Sequence, residues 1–161
     1  FSFVSRFYRR TSVTVIYTAC IRALLISKPQ PEGENMKYSI NAQGVPAAIG
    51  PYSQGTTAGR LVFASGQLPI SAQNNKELIT GGITEQTERV IDLIQSILAE
   101  AGCTLSDVAQ TTLYLANLND LDAVNEVYAQ RFTTPAPARN VVEVSRLPLD
   151  ALVEMDCIAC R

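Results

Sequence analysis

Arg139, just behind the stiff loop of Pro135 and Pro137, and Glu154, isolated between Val153 and Met155, are the charged residues best placed to do chemistry in this chain. A guanidinium fixed at the start of a strand can grip a carboxylate through two parallel hydrogen bonds. A carboxylate set in an apolar strand can position or activate water. Further polar groups stand beside glycines and prolines: Tyr52 in "IGPYSQG", Ser65 and Gly66 in "SGQLP", and Asn125 in "DAVNEV". Each has a plainer reading. Arg139 could form a surface ion pair, Glu154 and Asn125 could face solvent, Tyr52 could rest its ring on the core, and Ser65-Gly66 could be an ordinary strand end.

The 161 residues include no histidine, which excludes imidazole acid-base chemistry, histidine triads and histidine metal sites. No glycine-rich phosphate loop is present. The cysteines, Cys20, Cys103, Cys157 and Cys160, are too few and too irregular for a disulfide framework. "CIAC" matches C-x-x-C, but on an alternating strand residues three apart point to opposite faces. Structural core cysteine is the expectation. Net charge is -2 overall; the first 35 residues carry five basic and two acidic groups, leaving eight basic against thirteen acidic from Met36 onward. An acidic body of this kind disfavours nucleic-acid binding, which rests on clustered Lys and Arg.

The elements that must position these groups follow from periodicity. "RLVFASGQLPI" reads as a strand and a bend, and "SAQNNKEL" as a polar loop. Thr84 is placed to cap a helix with Glu85 and Glu88 in its first turn, with Val90, Ile91, Ile94, Ile97, Leu98 and Ala101 along one face and Gly102 as its stop. "VAQTTLYLANL" reads as a strand. "NDLDAVNEVYAQRF" reads as a second helix, facing inward through Leu121, Val124, Tyr128 and Phe132. Two last strands, Arg139–Arg146 and Leu152–Cys160, are expected to pair as a hairpin across "LPLD".

This order predicts an α+β domain: one mixed sheet with two helices on one face. "LVFA", "LYLA" and "NVVEV" place apolar groups on both sides of the sheet, so the uncovered face is expected to meet another copy of the chain. Residues 1–35 are set apart as an N-terminal extension, either a targeting segment or non-native sequence, with residues 36–161 as the domain. The bias of residues 1–31 toward Arg, Ser and Thr without Asp or Glu is shared with mitochondrial transit peptides. The apolar stretch "VTVIYTACIRALLIS" is too short to span a bilayer and is interrupted by Arg22.

Taken together, "AAIGPYSQG", "VFASGQLPI", "EAGCTLSDVAQTTLYLANLNDLDAVNEVYAQRF" and "PARNVVEVSRLPLDALVEMDCIA" resemble the RidA (YjgF-like) family of reactive-intermediate deaminases, from Met36 to Arg161. The resemblance implies a chorismate mutase-like fold, a homotrimer with clefts between subunits, and no cofactor or metal. The implied activity is that of a 2-iminobutanoate/2-iminopropanoate deaminase. It hydrolyses enamines and imines such as 2-aminoacrylate and 2-iminobutyrate to 2-keto acids and ammonia, protecting pyridoxal-phosphate enzymes. By position, Arg139 would hold the substrate carboxylate, while Tyr52, Ser65, Gly66 and Asn125 would line the pocket. Glu154, with the backbone near Val141, would place the water. Many relatives carry cysteine where this chain has Val141, so a thiol nucleophile is unavailable there. The cytoplasm is the expected location, or the mitochondrion if the extension is a transit peptide. A non-catalytic carboxylate-binding or chaperone-like trimer is the alternative, and an endoribonuclease that inhibits translation ranks third.

Overall fold

The computed structural model describes residues 36–72 and 77–161. The extension at 1–35, Cys20 included, and part of the polar loop lie outside the described residues. Six strands, β1 (Lys37–Ile40), β2 (Gly55–Ala58), β3 (Leu61–Gln67), β4 (Val108–Leu115), β5 (Ala138–Glu143) and β6 (Val153–Cys160), form one sheet in the order β1-β2-β3-β6-β4-β5. Every neighbouring pair is antiparallel except β4 with β5, which is parallel. Helix α1 (Ile83–Glu100) lies between β3 and β4 in sequence, and α2 (Leu121–Arg131) between β4 and β5.

The core is the layer between helices and sheet. α1 contributes Val90, Ile91, Leu93, Ile94, Ile97 and Leu98, and these meet Val62, Leu113, Leu115, Val153, Met155 and Ala159, all at most 1% exposed. Fully burying one such side chain stabilises by roughly 1.5–3 kcal/mol, so this layer dominates folding. The mixed sheet and the two helices on one face agree with the sequence expectation.

The hairpin does not form. β6 inserts between β3 and β4, and β5 is left at the sheet edge. Two physical reasons combine. α2 is a crossover that returns the chain to the same end of the sheet, which makes β5 parallel to β4. β6 alternates strictly, with Val153, Met155, Cys157 and Ala159 buried, and gains most from a central place, whereas β5 is exposed along most of its length.

The start of α1 also differs from expectation. Gly82, not Thr84, is the N-cap, and Glu85 reaches back to accept from the Gly82 N–H at 2.8 Å. Gly81, at φ 126°, supplies the turn that makes this possible. At the other end Gly102, at φ 75°, closes the helix as expected, with the Cys103 N–H donating to the Leu98 carbonyl at 2.8 Å.

The open face is more polar than the apolar runs imply. Cross-strand partners share a face, so Phe63 with Ile158, Thr112 with Asp156, and Tyr114 with Glu154 all lie on it. These residues are half-buried. No helix among the described residues is long and apolar enough to cross a membrane.

Candidate functional site

Arg139 opens β5 and pairs with Thr111 of β4. The Thr111 hydroxyl is 2.8 Å from the Tyr128 hydroxyl of α2, and the Arg139 guanidinium carbon stands 4.7 Å from the centre of the Tyr128 ring. Phe132 stacks against that ring at 4.2 Å between centroids. The aromatic pair is a seat for the cation, holding one face of the guanidinium and leaving its N–H edges open. Ion pairs among the described residues join Arg131 to Asp92 and Arg146 to Asp150; Arg139 forms none. The surface ion-pair reading therefore does not describe it. Asn125 sits one helical turn before Tyr128, half-buried, and Val141 lies on the same face of β5 as Arg139, packed against the core. Arg139, Asn125 and Val141 form one group, on the helix side of the sheet at its edge.

The second group gathers where β3 bulges. Ala64 pairs with Cys157 and Gln67 with Met155, so Ser65 and Gly66 together oppose the single residue Asp156. The Ser65 hydroxyl donates to the Ser53 carbonyl at 2.6 Å and the Ser65 N–H to the Gln54 carbonyl at 3.0 Å, tying the bulge to the loop that carries Tyr52. The Ser65 amide is therefore engaged within the protein and is not offered to a ligand. Gln54 braces the same loop from inside, accepting from the Ala42 N–H at 2.6 Å and donating to the Val45 and Pro46 carbonyls, each at 3.0 Å. The Tyr52 ring turns back over Gly50 and is 54% exposed, so it does not rest on the core.

The Glu154 carboxylate lies directly against Gly66, in space that a Cβ at position 66 would occupy. Burial pushes the Glu154 carboxyl above its ordinary range, and the neighbouring Asp156 pushes it further. Asp156 itself accepts from the Tyr114 hydroxyl at 3.1 Å. Glu154 is thus a partly desolvated carboxylate, suited to exchanging protons closer to neutral pH than a free one.

Register decides how the two groups relate. Arg139 pairs with Thr111 and Glu154 with Tyr114 on the same strand; positions 111 and 114 point to opposite faces, and so do Arg139 and Glu154. Within one protomer the two charges face away from each other across the sheet.

A cavity of about 420 Å³ opens beside the second group. Tyr52 and Gly66 form part of its wall, with Ile49, Leu68, Ile70 and Leu149 supplying apolar surface. It depends on the fold of the 146–150 turn, where Leu149 and Asp150 both have φ 58°.

The two thiols of "CIAC" are free and do not form a redox pair. Cys157 is buried on the helix side and Cys160 is exposed, so the two point apart. Burial, and after it Asp156, pushes the Cys157 thiol up to about 12, where it stays protonated. Among the described residues no cluster of His, Cys, Asp and Glu could hold a metal ion.

Residues 42–161 match the family described as Endoribonuclease L-PSP. A RutC family protein of Pyrococcus abyssi is 49% identical over 125 residues, covering 78% of this chain and 98% of that one. A 2-iminobutanoate/2-iminopropanoate deaminase of Capra hircus is 40% identical over 122 residues, covering 76% of this chain and 88% of that one. The crystal structure of E. coli TdcF with bound serine superimposes with a TM-score of 0.72 at 36% identity, covering 77% of this chain and 98% of that one. The motifs, the sheet order and these likenesses agree, and the chain belongs to the RidA/YjgF (RutC) family.

Proposed function

We propose that this protein hydrolyses 2-imino acids and their enamine tautomers, such as 2-aminoacrylate and 2-iminobutyrate, to 2-oxo acids and ammonia. The single observation that carries the reading is the placement of an aromatic-seated Arg139, without an ion pair among the described residues, and a partly desolvated Glu154 on opposite faces of one sheet. Neither group completes a site alone. In a closed ring of protomers, one copy's helix-side edge meets the next copy's open face, so each cleft receives both charges. We propose a homotrimer of this kind, with Glu154, Gly66 and Tyr52 from one protomer facing Arg139 and Asn125 of the partner subunit.

The chemistry needs little more. An imine carbon next to a carboxylate is already electrophilic, so the main task is to fix the acid and present water. Arg139 grips the carboxylate with two N–H donors. The substrate reacts as its iminium form: Glu154 takes a proton from water as the oxygen bonds to C2 and the C=N pair moves to nitrogen, giving a neutral carbinolamine. Glu154 then returns that proton to the amino group; the C–N bond breaks, and the departing ammonia takes the hydroxyl proton as C=O forms, leaving as ammonium. An enamine enters after proton transfer to its terminal carbon. Tyr52 covers the bulge side. The backbone at Val141 borders the carboxylate end.

The family's description also names ribonuclease activity. An acidic body without histidine offers neither phosphate attraction nor imidazole acid-base catalysis, which disfavours that reading here.

The test generates the imine in situ with an amino-acid oxidase and follows its loss. Wild type should accelerate hydrolysis, and Arg139→Ala should lose about a hundredfold or more in kcat/KM. A wild type no faster than the uncatalysed reaction would refute catalysis and favour a carboxylate-binding trimer. Equal acceleration by both proteins would refute the role of Arg139.

A further inference from the structure

Three groups hang from C2 of a 2-imino acid: the carboxylate, the nitrogen and a side chain. The proposed site accounts for the first two. Gly66, against which the Glu154 carboxylate lies, is also part of the wall of the 420 Å³ cavity, so the cavity begins beside the attacked carbon. A cavity of this volume, even with part of its mouth covered by the partner's edge in the proposed ring, has room for more than a three-carbon substrate. Its wall is mainly apolar, from Ile49, Tyr52, Leu68, Ile70 and Leu149.

Leu149 is the least expected of these. Leucine rarely adopts a left-handed backbone, yet Leu149 has φ 58° and is 54% exposed at the cavity wall. The turn is held in that shape: Leu147 is buried, Pro148 leads the turn, and Arg146 grips Asp150 with two hydrogen bonds at 2.8 and 3.3 Å. An exposed apolar side chain kept in an unfavourable conformation beside a cavity marks a candidate ligand contact.

From this we infer that the cavity receives the substrate's side chain and that the enzyme prefers 2-imino acids with apolar side chains of about four carbons, Leu149 being a specificity-determining residue. The inference rests on the proposed deaminase reading. Each methylene seated in such a wall favours the longer substrate by about fourfold, so the leucine-derived imine, three carbons longer than the alanine-derived one, has a ceiling of about 60-fold in kcat/KM. A cavity open at its mouth should realise about tenfold.

The test compares the imines made from L-leucine and L-alanine by an amino-acid oxidase, with the uncatalysed rate subtracted. Wild type should favour the leucine imine by about tenfold, and Leu149→Asn should lower that ratio by about fivefold. Asparagine tolerates the left-handed backbone, so this variant keeps the turn. Ala47→Phe, which fills the cavity from its wall, should lower the ratio as well. A wild-type ratio near one, or a ratio that neither variant moves, overturns the inference while leaving the deaminase reading intact. If wild type hydrolyses neither imine, the deaminase reading fails, and binding of 4-methyl-2-oxopentanoate against pyruvate by calorimetry decides the inference. A preference for the longer acid that Leu149→Asn reduces supports it; equal affinities, or a preference that variant leaves unchanged, overturn it.

Discussion

Arg139→Ala and Glu154→Gln each remove one of the two charges that point to opposite faces of the sheet, and each variant alone should be nearly inactive. Mixed rings should not be. In a ring where every cleft takes its arginine from one protomer and its glutamate from the next, equal random mixing leaves each half intact in half of the clefts. About a quarter of all clefts then carry both groups. Each single variant should retain about 1% of wild-type activity or less, so recovery to about 25% stands well clear of the background. The two variants, carrying different affinity tags, are co-expressed, doubly purified rings are isolated, and imine loss is compared with rings of each variant alone. Doubly purified rings contain at least one of each protomer, so in a trimer every such ring has one intact cleft, and recovery rises to about a third. Activity that stays at the level of the single variants in verified mixed rings would refute the shared cleft.

Glu154→Gln should raise the melting temperature at pH 8 and lose that advantage near pH 4, as read by calorimetry. The folded-state carboxyl of Glu154 titrates above its ordinary range, so the stability linked to its protonated form is complete at low pH and is lost as pH rises through the folded value. An advantage that grows toward acid would contradict the burial argument. Gly66→Ala should lower both melting temperature and kcat/KM, the latter about tenfold or more, because its methyl overlaps the Glu154 carboxylate. Thermal stability should largely return in Gly66→Ala/Glu154→Ala while activity does not; two independent losses of stability would refute the contact. Tyr128→Leu should raise KM about two- to fivefold by removing the ring beneath Arg139, and Tyr128→Phe should raise it less. Equal KM values for the two variants would show that the hydroxyl, not the ring, positions the arginine.

Much of the fold is readable from local pattern. Val90 through Leu98 recur at helical spacing and form α1, and the alternation at 153–159 is strict enough to place β6 in the core. The hairpin failed because adjacency in sequence carries no information about which strand a central position will admit; α2 moved β5 to the edge. β1 and β2, "KYSI" and "GTTA", are too short and too polar to stand out before pairing supplies their hydrogen bonds. Thr84 lost the cap to Gly82 because a glutamate reaching backward satisfied the first amide, a contact visible only once Gly81 has turned the chain.

The site divides in the same way. Arg139 and Glu154 stood out as isolated charges in apolar or rigid surroundings, and both proved to be free of ordinary ion pairs among the described residues. Their opposite orientation was not readable, since a one-residue shift of register inverts every side chain. Leu149 gave no signal at all. The role inferred for it rests on a left-handed turn held by Arg146 and Asp150, and no spacing rule reports backbone conformation.

β6 is shared between two tasks with no position in common. Residues 153, 155, 157 and 159 seal the interior, while 154, 156 and 158 face the other way. The outward set consequently answers to its own face, Glu154 to Gly66 and Asp156 to Tyr114, and a matched change there leaves the packing beneath alone. A lineage can therefore explore new reactivity along this strand while inheriting an unchanged scaffold.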